Sequence, residues 1–321
     1  MNIENIADKH ISVLYEELIW SIEIFNNKQN IVVDCTLGMW WHAAGIIQKM
    51  NPWDIFIGFD ADTRNLKLAR ERLESINSDN KVELILINSN FVNLKQELAD
   101  RNIFEITGIY YDLWLSSLHI DEADRWFSFR ANGPLDMRFD ATSGKPASFV
   151  VNVYRKDQLI DIFKTYWEEP LAEKIAQAIS HQRKKKPFET TDDLVEIIET
   201  ISKHPRVKTR IFQALRIETN KELDFAETSI QDSLDLLTKG GKIFVISFHS
   251  LEDRLVKQIF KKETKDCICD DLICSCGHKK SLKILTKKPI LPTPEEIKQN
   301  SRSRSAKARL AEKITPAVKN S

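Results

Sequence analysis

Short apolar runs alternate with amphipathic stretches in the first third of the chain, and one further apolar run lies near residue 245. Five of these runs are rich in β-branched residues and predict buried strands at 31–34, 55–60, 83–87, 106–112 and 242–248. Helix-period patterns separate the early runs, as over 63–76. This alternation predicts an α/β fold with a doubly wound sheet, in which ligands bind at the C-terminal ends of the strands.

A long helix-patterned segment interrupts the alternation. Residues 121–225 carry several helical patterns, punctuated by Pro and basic residues, and contain no strong strand pattern. We therefore predict a helical insertion, 121–225, within an α/β domain formed by residues 1–120 and 226–321. After the insertion, "KGG" at 239–241 predicts a turn before the last strand, and Ser250 is the predicted N-cap of the next helix.

The bulk composition excludes several classes of protein. Of 321 residues, 42% are apolar and 29% are charged, which is typical of a soluble globular protein. No run reaches the roughly 18 apolar residues of a membrane span, and the N-terminus lacks the basic region of a signal peptide. The five cysteines, four of which lie within residues 267–276, are too few and too clustered for a secreted disulfide scaffold. A cytoplasmic protein without a membrane partner is expected.

The formal net charge of zero conceals an asymmetry. Residues 271–321 hold 12 Lys and Arg against 4 Asp and Glu, whereas residues 1–270 hold 35 against 43. Basic stretches occur at 181–186, 204–210 and 301–309. Such a distribution indicates either a polyanionic partner or solvated faces, and charge by itself leaves both interpretations open.

Acidic residues end three of the predicted strands. Asp34 ends the first strand and Asp60 ends the second, and the fourth ends at Asp112, which is followed by "LWLSS". In nucleoside-binding α/β folds an acid at the end of the second strand accepts hydrogen bonds from ribose hydroxyls. Aspartate at a strand end is also a common turn former or helix cap. The acid and hydroxyls after the fourth strand lie where a cofactor and a substrate would meet.

Six longer stretches resemble a known family: "DCTLG..WH", "YYDLWLSS", "DRWFSFRANGPLDMRFD", "HPRVKTRIFQALRIETNKEL", "GGKIFVISFHSLEDRLVKQIF" and "NSRSRSAKARLAEK". The chain resembles the RsmH (MraW) family of S-adenosylmethionine-dependent methyltransferases, which act on N4 of a decoding-site cytosine in 16S rRNA. The resemblance runs from His10 to about Lys313. It implies a class I (Rossmann-like) methyltransferase domain whose helical insertion recognises RNA. It also implies 16S rRNA in the small ribosomal subunit as partner, with no DNA, and leaves the oligomeric state undetermined.

The resemblance further implies a cofactor site made of Gly38, Trp40, Trp41, His42, Asp60, Phe91, Asp112 and His119. The loop after the first strand would hold the methionine end of S-adenosylmethionine. Asp60 would bind the ribose and Phe91 the adenine, and Asp112 would close the pocket near the transferred methyl. His119 stands where the family usually has glutamine, and an imidazole can still donate one hydrogen bond.

Asp112 is also the predicted catalytic residue. The cytosine amine is a poor nucleophile because its lone pair is delocalised into the ring. The protein must therefore align the amine with the methyl group and accept a hydrogen bond from N4–H. Asp112 is favoured as this acceptor over the hydroxyls of Ser116 and Ser117.

The tryptophans have an unusual distribution. Five of the seven stand where the family has glycine: Trp40, Trp41, Trp114, Trp126 and Trp167. Trp53 is a sixth case on a looser alignment, and Trp20 shows no such match. Three interpretations remain: neutral drift, a non-catalytic rRNA- or ribosome-binding relative that has lost the cofactor, and glycine codons read as tryptophan. We favour the third, because it also accounts for the low glycine count of 9.

A cysteine-rich loop, "CICDDLICSCGH", covers residues 267–278. Its cysteines and histidine are soft ligands that permit a tetrahedral zinc site, yet the Cys-x-Cys step is tighter than usual zinc-finger spacing. The pattern Cys267, Cys269, Cys274, Cys276 is therefore interpreted as a reduced-thiol loop, with zinc as the alternative. No residue is assigned as a metal ligand.

Overall fold

The structure is a computed structural model that describes residues 12–38, 40–79, 81–113, 132–139, 144–269 and 275–317. The chain divides into two compact units. The first combines Met1–Trp114 with Phe225–Ser321, and the second is Leu115–Asp224.

The first unit is built on a seven-stranded sheet. Its strands are β1 Ile31–Asp34, β2 Ile55–Phe59, β3 Glu83–Ile87, β4 Ile106–Asp112, β5 Leu237–Ser247, β6 Leu282–Ile284 and β7 Lys307–Lys313. They lie side by side in the order β3-β2-β1-β4-β5-β7-β6. Strands β1 to β5 pair in parallel, and β7 pairs antiparallel with both β5 and β6. The α/β fold class predicted from the sequence is confirmed.

Within the described residues the α-helices run, in chain order, α1 Tyr15–Ser21, α2 Trp41–Lys49, α3 Thr63–Ile76, α4 Leu94–Ala99, α5 Ala147–Val153, α6 Lys156–Trp167, α7 Ala172–Gln182, α8 Thr191–Ile201, α9 Pro205–Asn220, α10 Glu222–Leu236, α11 Ser250–Glu263 and α12 Pro294–Gln299. None of them combines the length and the apolar character that crossing a bilayer requires.

Helices cover both faces of the sheet, as two adjacent residues of β4 demonstrate. Successive side chains of a strand point to opposite faces. Tyr110 meets the ring of His42 in α2 at 6.2 Å on one face, and the hydroxyl of Tyr111 bonds Ser229 of α10 on the other. Both tyrosines are fully buried. The central strands are therefore apolar throughout, because neither face of the sheet meets water.

Three local features differ from the sequence prediction. The last parallel strand begins at Leu237, so "KGG" lies inside β5, where the register against β4 shifts and Gly240 has a φ of +84°. Glycine allows this bulge because it has no Cβ.

The second difference concerns the start of α11, whose N-cap is His249 rather than Ser250. Its side chain accepts from the backbone N–H of Glu252, and the Glu252 carboxylate accepts in return from the backbone N–H of His249.

The third difference concerns the basic C-terminal segment. Lys307–Lys313 forms strand β7, inserted between β5 and β6. The segment has few strand-favouring residues, and its charge pattern does not predict a strand. Pairing on both sides decides its conformation here, which is a tertiary effect that outweighs local propensity.

The described part of the second unit is helical. Its core of 20 buried residues comes from helices α5 to α9, together with Leu135, Met137 and Phe188. Its helices are amphipathic, and clear start signals precede some of them. Thr190 and Asp193 form a capping box at α8, and Pro205 occupies the first position of α9.

Candidate active site

Three aspartates lie at one edge of the sheet. Asp34, Asp60 and Asp112 are at the C-terminal ends of, or just after, the neighbouring strands β1, β2 and β4. The loop that follows β1 runs between the other two strand ends: the N–H of Leu37 donates to the carbonyl of Phe59 at 2.9 Å, and the N–H of Cys35 donates to the carbonyl of Tyr110 at 3.1 Å. Parallel strands place such groups together because their carboxyl ends share an edge.

Asp60 ties the loop after β1 to the end of β2. Its carboxylate accepts from the backbone N–H of Gly38 at 3.0 Å, from the N–H of Asp62 at 2.7 Å and from the Asn65 amide at 3.2 Å. Burial raises the pKa of Asp60 to about 6, although these hydrogen bonds act in the opposite direction. A carboxylate has about four acceptor positions, so Asp60 retains room for one further donor.

His42 and Asp112 are brought together across the sheet edge. The Nδ1 atom of His42 lies 3.7 Å from Oδ2 of Asp112. The other ring nitrogen is 3.0 Å from the carbonyl oxygen of Val13, and because a carbonyl only accepts, Nε2 carries a proton. The ring also stacks on Tyr15, with centroids 6.1 Å apart. The imidazole is therefore held on several sides, while the carboxylate of Asp112 stays partly exposed.

Backbone bonds fix the position of Asp112. Its N–H donates to the Thr36 hydroxyl at 2.7 Å, so the loop after β1 holds the end of β4 as well as the end of β2. Asp112 therefore projects from the fixed end of a strand. Side chains on strands are positioned more precisely than side chains on loops, as a reacting group requires.

Asp34 is a buried acid that sequence reasoning did not assign to the site. Its carboxylate accepts from the N–H of Thr36 at 2.9 Å. Burial, with a smaller contribution from the nearby carboxylates of Asp112 and Asp60, raises the pKa of Asp34 to about 7, although the hydrogen bond from Thr36 acts in the opposite direction. The sequence offered one signal for this role, an acid that ends an otherwise apolar strand.

The paired tryptophans lie at the start of α2. Trp40 is only 4% exposed, and its ring lies 6.4 Å from that of Trp41 at an interplanar angle of 28°. Trp40 has φ +57° and ψ −5°, in the left-handed region, where a bulky residue is strained by about 1–2 kcal/mol. Within the described residues, the indole nitrogen of Trp41 is buried without a hydrogen-bond partner.

Not every tryptophan at a family glycine position is strained. Trp167 is the last residue of α6 and is helical, and the left-handed residue is its successor Glu168, with φ +47°. Trp53, by contrast, does have a left-handed φ of +74°, but its side chain is 83% exposed, so it is strained at the surface and not in the core. Trp114 and Trp126 lie outside the described residues, as do His119, Ser116 and Ser117.

Phe91 begins a 3-10 turn, Phe91–Asn93, just after β3. Its ring meets that of Tyr111 edge-on at 5.9 Å, and it packs partly against the core of the first unit. The structure thus places Phe91 at the same sheet edge as Asp60, as expected for two residues that follow neighbouring strands.

Some residues of the basic stretches make structural hydrogen bonds within the protein. Arg309 is 7% exposed and donates to Asp253 at 2.7 Å, so it is a structural residue of β7 and not a surface contact. Arg183 caps the end of α5 by donating to the carbonyls of Val151 and Tyr154. Arg304 is exposed and Arg302 half-buried, and these two stay candidates for contact with an anion.

Family membership follows from the whole sequence. The profile of the MraW methylase family matches residues 7–314. The chain belongs to this family. Two relatives of this MraW-family chain carry the name ribosomal RNA small subunit methyltransferase H. The one from Clostridioides difficile is 43% identical over 95% of this chain and 99% of its own length. The one from Finegoldia magna is 42% identical, with the same two shares.

Among solved structures, an rRNA methylase from Streptococcus thermophilus is similar to this MraW-family chain with a TM-score of 0.40 and 10% identity, over 94% of each chain. A methyltransferase from Streptococcus mutans in complex with SAH has a TM-score of 0.42 and 12% identity, over 94% of this chain and 95% of its own.

Proposed function

We propose that this chain transfers the methyl group of S-adenosylmethionine to N4 of a decoding-site cytidine in the 16S rRNA of the small ribosomal subunit. Family membership and the relatives' shared name support methylation of small-subunit rRNA. The choice of N4 rests on the motif resemblance. The observation that carries the proposal is the partly exposed Asp112 carboxylate, braced at the end of β4 beside His42 and the loop after β1.

The groups at the sheet edge suit S-adenosylmethionine chemically. Asp60 has one acceptor position left for a ribose hydroxyl. Helix α2 begins without a side-chain cap, so its first N–H groups are available to the carboxylate of the methionine end. The partly exposed carboxylate of Asp112 suits a positively charged sulfonium. Phe91 offers an apolar ring for the adenine.

Bound S-adenosylmethionine supplies an activated methyl group. Asp112 would accept a hydrogen bond from N4–H of the cytosine, which directs the amine lone pair toward the methyl. The loop from Cys35 to Trp40, anchored on β2 and β4, would hold the methionine end. The target base must leave its stack to reach this edge of the sheet.

The indoles of Trp40 and Trp41 are the feature that fits least well. They occupy the loop intended for the methionine end, and Trp40 does so in a strained conformation. The non-catalytic alternative draws on this feature. The relatives' names, which describe methyltransferases, favour the enzyme.

The test is methyl transfer from labelled S-adenosylmethionine to small-subunit particles that lack the modification, with the product identified by nucleoside mass spectrometry. The chain as it stands and its Trp40→Gly/Trp41→Gly variant are assayed side by side. The proposal expects N4-methylcytidine from at least the glycine variant, and its loss in Asp112→Asn made on the same background. Asp79→Asn, an exposed acid that caps a turn away from the site, is the control. Absence of transfer from both forms would refute the proposal.

Asp60→Ala on the same background separates binding from chemistry. Loss of a hydrogen bond to a charged group costs about 1.5–3 kcal/mol, so affinity for S-adenosylmethionine should fall by roughly tenfold to a hundredfold. Calorimetric titration measures this directly. Unchanged affinity would remove Asp60 from the ribose site.

A further inference from the structure

Three cysteine side chains converge in the loop that joins α11 to β6. The Sγ atoms of Cys267, Cys269 and Cys276 all lie within 4.8 Å of one another. Cys267 Sγ is 3.0 Å from Cys269 Sγ and 3.8 Å from Cys276 Sγ. All three are at least partly accessible to solvent. This loop lies outside the three-aspartate site and takes no part in the proposed methyl transfer.

The sulfur atoms lie close enough together to bind one metal ion, although the pair Cys267 and Cys269, at 3.0 Å, would have to move apart. A zinc–thiolate bond is about 2.3 Å long, which places the sulfurs of a tetrahedral site roughly 3.8 Å apart. A disulfide needs a separation of about 2.05 Å, so the sulfurs at 3.0 Å and 3.8 Å are not bonded to one another. The tight Cys-x-Cys step in the sequence is thus no obstacle, because folding brings the sulfurs into one cluster.

The loop is held at its base by Ser281 and Glu263, and Cys274 within it lies outside the described residues. Ser281 donates its N–H to the carbonyl of Glu263 at 2.9 Å, and its hydroxyl to the Glu263 carboxylate at 2.6 Å. Between these residues, the described positions 264–269 and 275–280 form neither helix nor strand. A metal ion that ties its two arms would offset part of the entropy of ordering them.

The surroundings of the cysteines offer a fourth ligand. In the sequence the cysteines adjoin three lysines, Lys265, Lys279 and Lys280, and three acids, Asp266, Asp270 and Asp271, so the local charge is balanced. Gly277, with φ +64°, turns the chain directly after Cys276. His278 follows, and within the described residues its Nε2 is buried without a hydrogen-bond partner. Imidazole nitrogen is the other common ligand of structural zinc sites.

We propose that Cys267, Cys269 and Cys276 bind one Zn²⁺ ion as thiolates and that the ion fixes this loop on the sheet unit. Each thiol that binds as a thiolate releases its proton to solvent, so zinc binding is accompanied by acidification and weakens at low pH. The site is structural: it orders the loop and the lysines at its ends, and no step of methyl transfer passes through it.

The first experiment measures metal content. The full chain, purified under reducing conditions and supplied with Zn²⁺, should hold close to one zinc per chain by mass spectrometry of the metal. Cys267→Ala, Cys269→Ala and Cys276→Ala should each lose most of it. Cys35→Ala, which removes a thiol from the core of the sheet, should retain it. Folded chain that takes up no zinc, or a triple alanine variant that keeps it, would overturn the proposal.

A second measurement separates zinc binding from a redox function and from loss of folding. Replacing zinc by Co²⁺ should produce a thiolate-to-cobalt charge-transfer absorption that the cysteine variants lack. Tryptic cleavage at Lys265 and Lys279 should slow several-fold with zinc and recover with a chelator, whereas cleavage at exposed Lys203 in the other unit should not change. A disulfide that forms among the three cysteines in the presence of equimolar zinc, or cleavage rates insensitive to zinc, would refute the site.

Discussion

The imidazole of His42 and the carboxylate of Asp112 lie 3.7 Å apart between Nδ1 and Oδ2, although 70 residues separate them in the chain. The ring is anchored by the carbonyl of Val13 through its other nitrogen. We therefore predict that His42 positions Asp112 in the proposed reaction, whereas the family resemblance implies only a place beside the cofactor.

If His42 acts through Asp112, His42→Gln should lower kcat for methyl transfer by about fivefold, because an ion pair at 3.7 Å, longer than a hydrogen bond, contributes about 1 kcal/mol. Steady-state kinetics on both single variants and on His42→Gln/Asp112→Asn provide a double-mutant cycle. The double variant should be no slower than Asp112→Asn. Additive losses would show that His42 acts by another route.

Asp34 makes stability depend on pH in an uncommon direction. Its pKa is raised to about 7 by burial, well above its unfolded value, so the folded state holds a proton that the unfolded state has already lost. The free energy of unfolding should therefore fall as pH rises from about 4 to about 7, by at most roughly 1.4 kcal/mol per pH unit.

Asp34→Asn preserves an acceptor for the N–H of Thr36 and removes the titration. Urea unfolding of both chains across this pH range measures the difference. The wild-type free energy should decline relative to that of the variant, and parallel pH profiles would contradict a raised pKa. Asp60, whose pKa is raised to about 6, contributes in the same direction in both chains, so the difference between the two pH profiles reports mainly on Asp34.

The indole pair should obstruct the cofactor loop. The chain as it stands should bind S-adenosylmethionine poorly, and Trp40→Gly/Trp41→Gly should recover binding, because glycine relieves the strain at φ +57° and empties the loop. Calorimetry tests this, and normal binding by the chain as it stands would refute the steric argument.

If Trp40 and Trp41 are glycine in the cell, their codons are UGA and native peptides carry the glycine mass. UGG codons would exclude that origin.

The variant Trp53→Gly measures how much backbone strain lowers the free energy of unfolding, without the effect of an indole in the cofactor loop. Trp53 is 83% exposed with φ +74°, so Trp53→Gly removes little packing. We expect the free energy of unfolding to rise by about 0.5–1 kcal/mol, the left-handed strain less the entropy cost of glycine. Trp20 is 80% exposed within helix α1, and Trp20→Gly should instead destabilise by about 0.5–1 kcal/mol. Chemical denaturation compares them, and equal effects would contradict the strain at Trp53.

The basic C-terminal segment should contact RNA through only some of its arginines. Arg302→Ala/Arg304→Ala should weaken binding to 16S rRNA and reduce the slope of log affinity against log salt by about 1–2, because each phosphate contact releases counterions. Lys67→Ala/Arg72→Ala on helix α3 makes the same charge change elsewhere. Arg309→Ala should act on stability instead, since it breaks a buried ion pair with Asp253. An unchanged salt slope would make the segment a solvated face.

The sequence by itself determined the strands β1 to β4 and the helix Thr63–Ile76, because a strand buried on both faces needs a continuous apolar run and a surface helix needs a 3.6-residue period. It also determined the family, through long motifs. The acids at the ends of β1, β2 and β4 were visible as breaks in apolar runs, which is why Asp60 and Asp112 could be predicted to share one edge.

Only the tertiary structure decided the rest, since these features depend on partners distant in the chain. Strand β7 forms because β5 and β6 offer their edges to a segment of weak propensity, and Arg309 becomes structural because Asp253 of α11 lies beside it. The pKa of Asp34 depends on burial between strands. The pairing of His42 with Asp112, and the convergence of three cysteines despite a tight spacing, arise from chain path and not from composition.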